Sequence, residues 1–144
     1  MFKRILVPTD GSDLSNKAIA AALDLAKTLK AGVVGMTTLE PYSYSNLSEY
    51  RPETLEDYEN RMEKVGAERL AKLADAAAQA GVPVETMTVK SFSPYEAIID
   101  TAKDKGCDLI VMASHGRRGL NAVLLGSETQ KVLTHSRIPV MVYR

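Results

Sequence analysis

Two stretches hold the residue types that could do chemistry. The first is Thr9-Asp10-Gly11-Ser12, a polar turn with one carboxylate directly behind an apolar run. The second runs from Asp108 to Thr129. It opens on Leu109-Ile110-Val111-Met112 and breaks into Ala113-Ser114-His115-Gly116. It then carries Arg117, Arg118 and Gly119, and closes on Gly126-Ser127, where a helical pattern begins. Free backbone amides at a helix start attract anions, and glycine lets a phosphate approach the backbone. A strand, a loop and a helix start in this order read as a cradle for the phosphates of a nucleotide.

Other chemistries lack their residues. A dinucleotide fingerprint needs three glycines behind the first strand, and this turn has only Gly11. A P-loop needs lysine before its Ser/Thr, but Leu125 precedes Gly126-Ser127. No nucleophile sits beside a base, no Cys/His cluster suggests a metal, and no second carboxylate is spaced with Asp10. A nucleotide held there is expected to be hydrolysed slowly at most. The 144 residues carry zero formal net charge, which argues against a general nucleic-acid binder. No apolar run approaches ~20 residues, so no membrane span is expected. The short apolar start does not read as a signal peptide. The single Cys107 reads as a buried, inert thiol. With no internal disulfide available, a reducing cytoplasmic setting is the expectation.

The elements that must position these stretches alternate in type. Phe2 to Val7 is a run of apolar and β-branched residues after a basic start, ended by Pro8, as suits a strand covered on both faces. Ser12 suits the N-cap of a helix whose apolar face is Ile19, Ala22, Leu23, Ala26 and Leu29, with Gly32 at its exit. Val33 to Leu39 is a second strand, in which Gly35 marks a close approach by something else. Residues 42 to 52 have no period and read as a solvated connection or a flap near a ligand. A helical period runs from Glu53 to Ala80, with Tyr58 and Met62 read as core, and Gly81-Val82-Pro83 stops it. Val84 to Val89 is a third strand. Ser93-Pro94-Tyr95-Glu96 reads as a capping box opening a helix that ends at Gly106. The strand at 108–112, a helix from about Ser127 to Ser136 and a strand at Pro139–Tyr143 complete the chain.

Strands alternating with helices imply one α/β domain, 1–144, doubly wound and Rossmann-like, with a five-stranded parallel sheet and helices on both faces. Such sheets bind ligands beyond the carboxyl ends of their strands, where strand order reverses. The loops at 8–12 and 113–119 meet there if the first and fourth strands are neighbours.

The chain resembles the universal stress protein family along its whole length. The resemblance is carried by V-P-T-D-G-S after the first strand, D-L-I-V-M-x-S-H-G in the fourth, the G-S helix start and the closing I-P-V-M-V. The nucleotide-binding branch of that family carries G-x2-G-x9-G-[S/T], and the frame falls here on Ala113, Gly116, Gly126 and Ser127. Nine residues, Arg117 to Leu125, separate Gly116 from Gly126 as the pattern asks. The resemblance implies a strand order of 3-2-1-4-5 and a regulatory or stress-response module that binds ATP. It places Pro8, Thr9 and Asp10 against ribose and adenine, and Thr38 against the base. Met112 and Ala113 become the floor. Gly116, Arg117, Gly126 and Ser127 hold phosphates, with His115, Arg118 and Glu128 beside them. A divalent ion, Mg²⁺ or Mn²⁺, would come with the triphosphate, with Asp10 as its protein contact.

Each assignment has a plainer alternative. Ala113 stands where the family has its first glycine; its methyl costs little in extended backbone and on the order of 1 kcal/mol at positive φ. Asp10 also suits a turn, and Arg117 and Arg118 suit a solvated loop. His115 suits a hydrogen bond to backbone. Ser127 with Gln130 reads as a capping box that needs no ligand, and the Glu128 carboxylate would repel a phosphate. A nucleotide-free scaffold acting through protein partners is therefore the competing function. Pro139, Val140, Met141, Val142 and Tyr143 form an apolar strand expected at a sheet edge, where a second copy could pair to give a homodimer.

Overall fold

A computed structural model describes residues 1–43, 52–117 and 125–144. Its elements are β1 (Arg4–Pro8), α1 (Asp13–Leu29), β2 (Gly32–Leu39), α2 (Leu55–Ala80), β3 (Val84–Lys90), α3 (Pro94–Asp104), β4 (Leu109–Ala113), α4 (Ser127–His135) and β5 (Val140–Tyr143). The strands form one sheet in the order β3-β2-β1-β4-β5. Every pairing is parallel, and β1 pairs on both sides, Ile5 with Val33 of β2 and with Leu109 of β4. The order and class are those expected.

The two-residue period of β1 sorts the core into two layers. Ile5 and Val7 join Ile19, Leu23 and Ala26 of α1 and Leu73 and Ala77 of α2 on one face. Leu6 turns to the other face, with Ile98 and Ile99 of α3 and Val132 of α4. Cys107 is buried in that second layer, where burial pushes its thiol pKa up. Gly35 does mark a close approach: a Cβ there would stand 2.7 Å from the Leu73 methyls, so α2 lies directly on the β2 backbone.

Several helix ends differ from expectation. Ser12 does cap α1, its hydroxyl accepting the Ser15 N–H at 3.2 Å. The left-handed residue that closes α1 is Lys30, φ 55°, while Gly32 already belongs to β2. Gly81 closes α2 as expected, at φ 70°. Neither capping box forms. Ser93 makes no side-chain cap bond, because its position (φ −123°, ψ 86°) departs from ordinary cap geometry, and Glu96 instead accepts the Tyr95 hydroxyl. At α4 the cap residue is Gly126, not Ser127. Gln130 donates its side-chain amide to the Leu125 carbonyl rather than serving Ser127.

Candidate functional site

The carboxyl ends of β1, β2 and β4 open into a crevice of about 750 Å³. β1 leads into Pro8, Thr9 and Asp10, and β2 contributes Thr38 and Leu39. β4 ends in Met112 and Ala113, followed by His115, Gly116 and Arg117. Glu128 and Thr129 of α4 close one wall, and Tyr58, Arg61, Met62 and Arg69 of α2 close another. β1 lies beside β4, and the chain leaves β1 for α1 on one face of the sheet and β4 for α4 on the other. This is the switch point at which doubly wound sheets hold ligands.

Asp10 joins the two loops. Its Oδ1 accepts the Ser12 N–H at 3.0 Å, a turn bond, and its Oδ2 accepts the Arg117 N–H at 2.8 Å. Both the turn role and the crevice position are therefore real. The glycine at 116 follows from this bond, since a Cβ there would lie 2.3 Å from Asp10 Oδ2. Thr9 is nearly consumed by the protein. Its hydroxyl accepts from Ser15 at 2.8 Å and from the Gly11 N–H at 3.2 Å, and its carbonyl accepts from the Thr37 hydroxyl at 2.7 Å.

Ala113 is the last residue of β4 and has no positive φ, so its methyl carries no backbone penalty. The Ala113 carbonyl accepts from the Thr129 hydroxyl at 3.0 Å, which pins α4 to the end of β4. Gly126 and Ser127 do not line the crevice; Glu128 and Thr129, next in the chain, do. The Gly126 N–H is spent on the Ser114 carbonyl at 2.7 Å, and a Cβ at 126 would stand 3.1 Å from His115 Cα. The next amides of α4 have no intrahelical partner and remain as donors. The ring of His115 meets the Ser114 hydroxyl at 3.2 Å, a side chain rather than backbone. Arg118 lies outside the described residues, as do 44–51 of the tyrosine-rich segment.

Glu128 does something the local pattern did not suggest. Its Oε2 accepts the Tyr95 N–H at 2.9 Å, and its Oε1 lies 3.5 Å from Lys131 Nζ. It caps α3 from another helix, and its charge is partly committed there. Tyr58 is buried, its hydroxyl donating to the Glu40 carbonyl, and burial first and then the Glu40 charge raise its pKa. Tyr58 is thus both core and crevice wall, whereas Met62, read as core, is only half-buried and lines the crevice. Arg69 is the residue that sequence reasoning missed. It falls three positions after Gly66 and four before Leu73, on the flank of the apolar stripe of α2. A cation at that helical spacing was the available signal.

A model of the universal stress protein family matches residues 1–144. This chain belongs to the universal stress protein family. The Bacillus subtilis universal stress protein YxiE is 37% identical over 149 residues, covering 100% of both chains. A solved structure of MJ0577, a universal stress protein of Methanocaldococcus jannaschii, is 27% identical with a TM-score of 0.80; it covers 99% of this chain and 96% of that one. A universal stress protein solved in complex with cAMP is 24% identical with a TM-score of 0.73, covering 99% and 97%, and shares the fold. Among the described residues, no helix is long and apolar enough to cross a membrane.

Proposed function

We propose that this universal stress protein binds an adenine nucleotide, ATP foremost, in the crevice, and that occupancy alters a surface read by a regulatory protein partner in the cytoplasm. The observation that carries this reading is the Asp10–Arg117 bond at 2.8 Å. It brings the β1 turn and the β4 loop to one crevice beside the start of α4, where a base, a ribose and phosphates can be held together. The cAMP complex of a relative with the same fold supports the ligand class. Pro8, Asp10, Thr38, Met112 and Ala113 would meet nucleoside. Gly116, Arg117 and the α4 amides from Ser127 onward would meet phosphate, with Arg118, the next residue in the sequence. Mg²⁺ or Mn²⁺ would ride on the phosphate oxygens, and Asp10, whose oxygens keep further lone pairs, is its protein contact.

One observation favours the nucleotide-free alternative. Gly116 and Gly126 are both explained by internal packing, against Asp10 and His115, so neither glycine requires a ligand. Mass spectrometry of small molecules released from freshly purified protein separates the readings, as does a melt with added ligand. ATP at one hundred times its dissociation constant adds about 2.7 kcal/mol. For this chain that is a rise in Tm of roughly 5–10 °C. No released nucleotide and no shift up to millimolar ATP with magnesium would leave the scaffold reading standing.

The same proposal includes a homodimer on β5. Among the described residues that strand pairs only with β4, and Met141 and Tyr143 on it are exposed. An exposed apolar edge strand invites a second chain. Sedimentation should give twice the chain mass, and Val142→Lys should give monomers; a wild-type monomer at micromolar concentration defeats it.

A further inference from the structure

The crevice holds two arginines from α2, and the structure treats them differently. Arg61 is neutralised: its Nε and Nη2 meet the two Glu53 carboxylate oxygens at 2.9 and 3.0 Å. Among the described residues, Arg69 has no carboxylate within ion-pair distance, and the acceptor it does have is the Thr37 hydroxyl, 3.2 Å from Nη1. Its Nε is buried without a partner. Gly11, at φ 78°, leaves the space the arginine fills, for a Cβ at 11 would stand 3.1 Å from Arg69 Cγ. A guanidinium carries five donors and cannot shed its charge at neutral pH. Partial removal from water, followed by the nearby positive charge of Arg117, weakens its hold on its proton, and Asp10 offsets this only in part. Asp10 already holds two backbone amides. The α2 wall of the crevice therefore carries, among the described residues, a guanidinium that no carboxylate meets at ion-pair distance, fixed by packing and with donors to spare.

We propose that Arg69 is the side chain through which the crevice recognises a phosphate group of its ligand. Resting on the nucleotide reading above, this makes the site selective for phosphorylated adenine compounds over the bare nucleoside. Planar, charge-assisted donors match phosphate oxygens in geometry and sign. With Nε closed off, the Nη groups make the contact. A phosphate there also relieves the repulsion between Arg69 and Arg117. The Thr37 bond and the Gly11 cover hold the fork in place beforehand, so little side-chain freedom is lost on binding.

The test follows the Arg69 Nε–H resonance of the ¹⁵N-labelled wild-type protein during titration with adenosine, AMP and tripolyphosphate. Affinities of the first two are measured for wild type and for Arg69→Gln. AMP and tripolyphosphate are expected to move the Arg69 resonance, and adenosine to move it far less. Arg69→Gln should weaken AMP by about tenfold or more and adenosine by less than about twofold. A purely structural arginine would weaken both ligands alike, which overturns the proposal. AMP binding that leaves the resonance unmoved and the variant's affinity intact also overturns it, while the nucleotide reading survives. Tripolyphosphate moving Arg69 when neither adenosine nor AMP binds would sink the nucleotide reading and support anion recognition. Binding of none of the three ends both.

Discussion

Replacing Gly116 with alanine tests whether that glycine serves the protein or a ligand. The added Cβ would lie 2.3 Å from Asp10 Oδ2, far inside contact distance. Gly116 has no left-handed φ, so alanine brings no backbone strain of its own. The damage comes from the collision, and the short Asp10 side chain must rotate away. Its Oδ2 then releases the Arg117 N–H that it holds at 2.8 Å. A hydrogen bond to a charged group contributes about 1.5–3 kcal/mol, and because Arg117 is exposed its amide can turn to water, which favours the lower end. We expect a loss of about 1.5 kcal/mol and a fall in Tm of roughly 4–6 °C without any ligand present. Urea denaturation of a double-mutant cycle isolates the cause. Asp10→Ala alone removes the carboxylate. In that background Gly116→Ala has nothing to strike and should cost less than about 0.5 kcal/mol. A coupling of at least about 1 kcal/mol is the expected result. Costs that add within about 0.5 kcal/mol would refute the reasoning and return Gly116 to a role in ligand approach.

Four further outcomes follow from particular residues. Glu128→Ala should cost about 1 kcal/mol in urea melts, the value of a lost cap, because Glu128 supplies the side-chain bond to the Tyr95 N–H of α3. Ser93→Ala, which removes a hydroxyl that makes no cap bond, should stay within about 0.5 kcal/mol of wild type; the reverse ranking would restore the local capping box. Gly35→Ala should destabilise by about 1–3 kcal/mol, since its methyl would meet Leu73 at 2.7 Å inside a packed layer, and an unchanged urea midpoint would contradict that packing. Asp108 ties the chain start to β4: burial pulls its pKa up, but the amides of Lys3 and Arg4 bring the balance below the ordinary value. A depressed native pKa means that its stabilisation is present above the unfolded-state value of about 3.9 and is lost as pH falls through the native one. Asp108→Asn should therefore be less stable than wild type near neutral pH, and the two should converge in acid; a gap that persists well below the native pKa would speak against it.

Local pattern determined the architecture. The apolar runs ending at Val7, Leu39 and Met112 read as buried strands, and the helical stripes between them implied parallel crossovers. The Gly116–Gly126 spacing after a buried strand marked a loop that borders the crevice at Gly116 and Arg117, and Ser12 and Gly81 named their own caps. These features are legible because period and turn chemistry depend on neighbours within a few residues. The tertiary structure decided which groups meet. Asp10 and Arg117 stand 107 residues apart and Tyr95 and Glu128 stand 33 apart, and each pair is joined only because β1 lies beside β4 and α3 lies beside α4. Pattern placed Glu128 near a phosphate as a repelling charge, whereas packing gave it a backbone amide to hold. Pattern treated α2 as a core helix, whereas its close approach to the sheet, at Gly35 of β2 and at its own Gly66, carries Arg69 over Gly11 into the crevice. Side chains that act across elements are specified by how close two backbones can come, and that distance belongs to the packed sheet and helices rather than to any one segment of the chain.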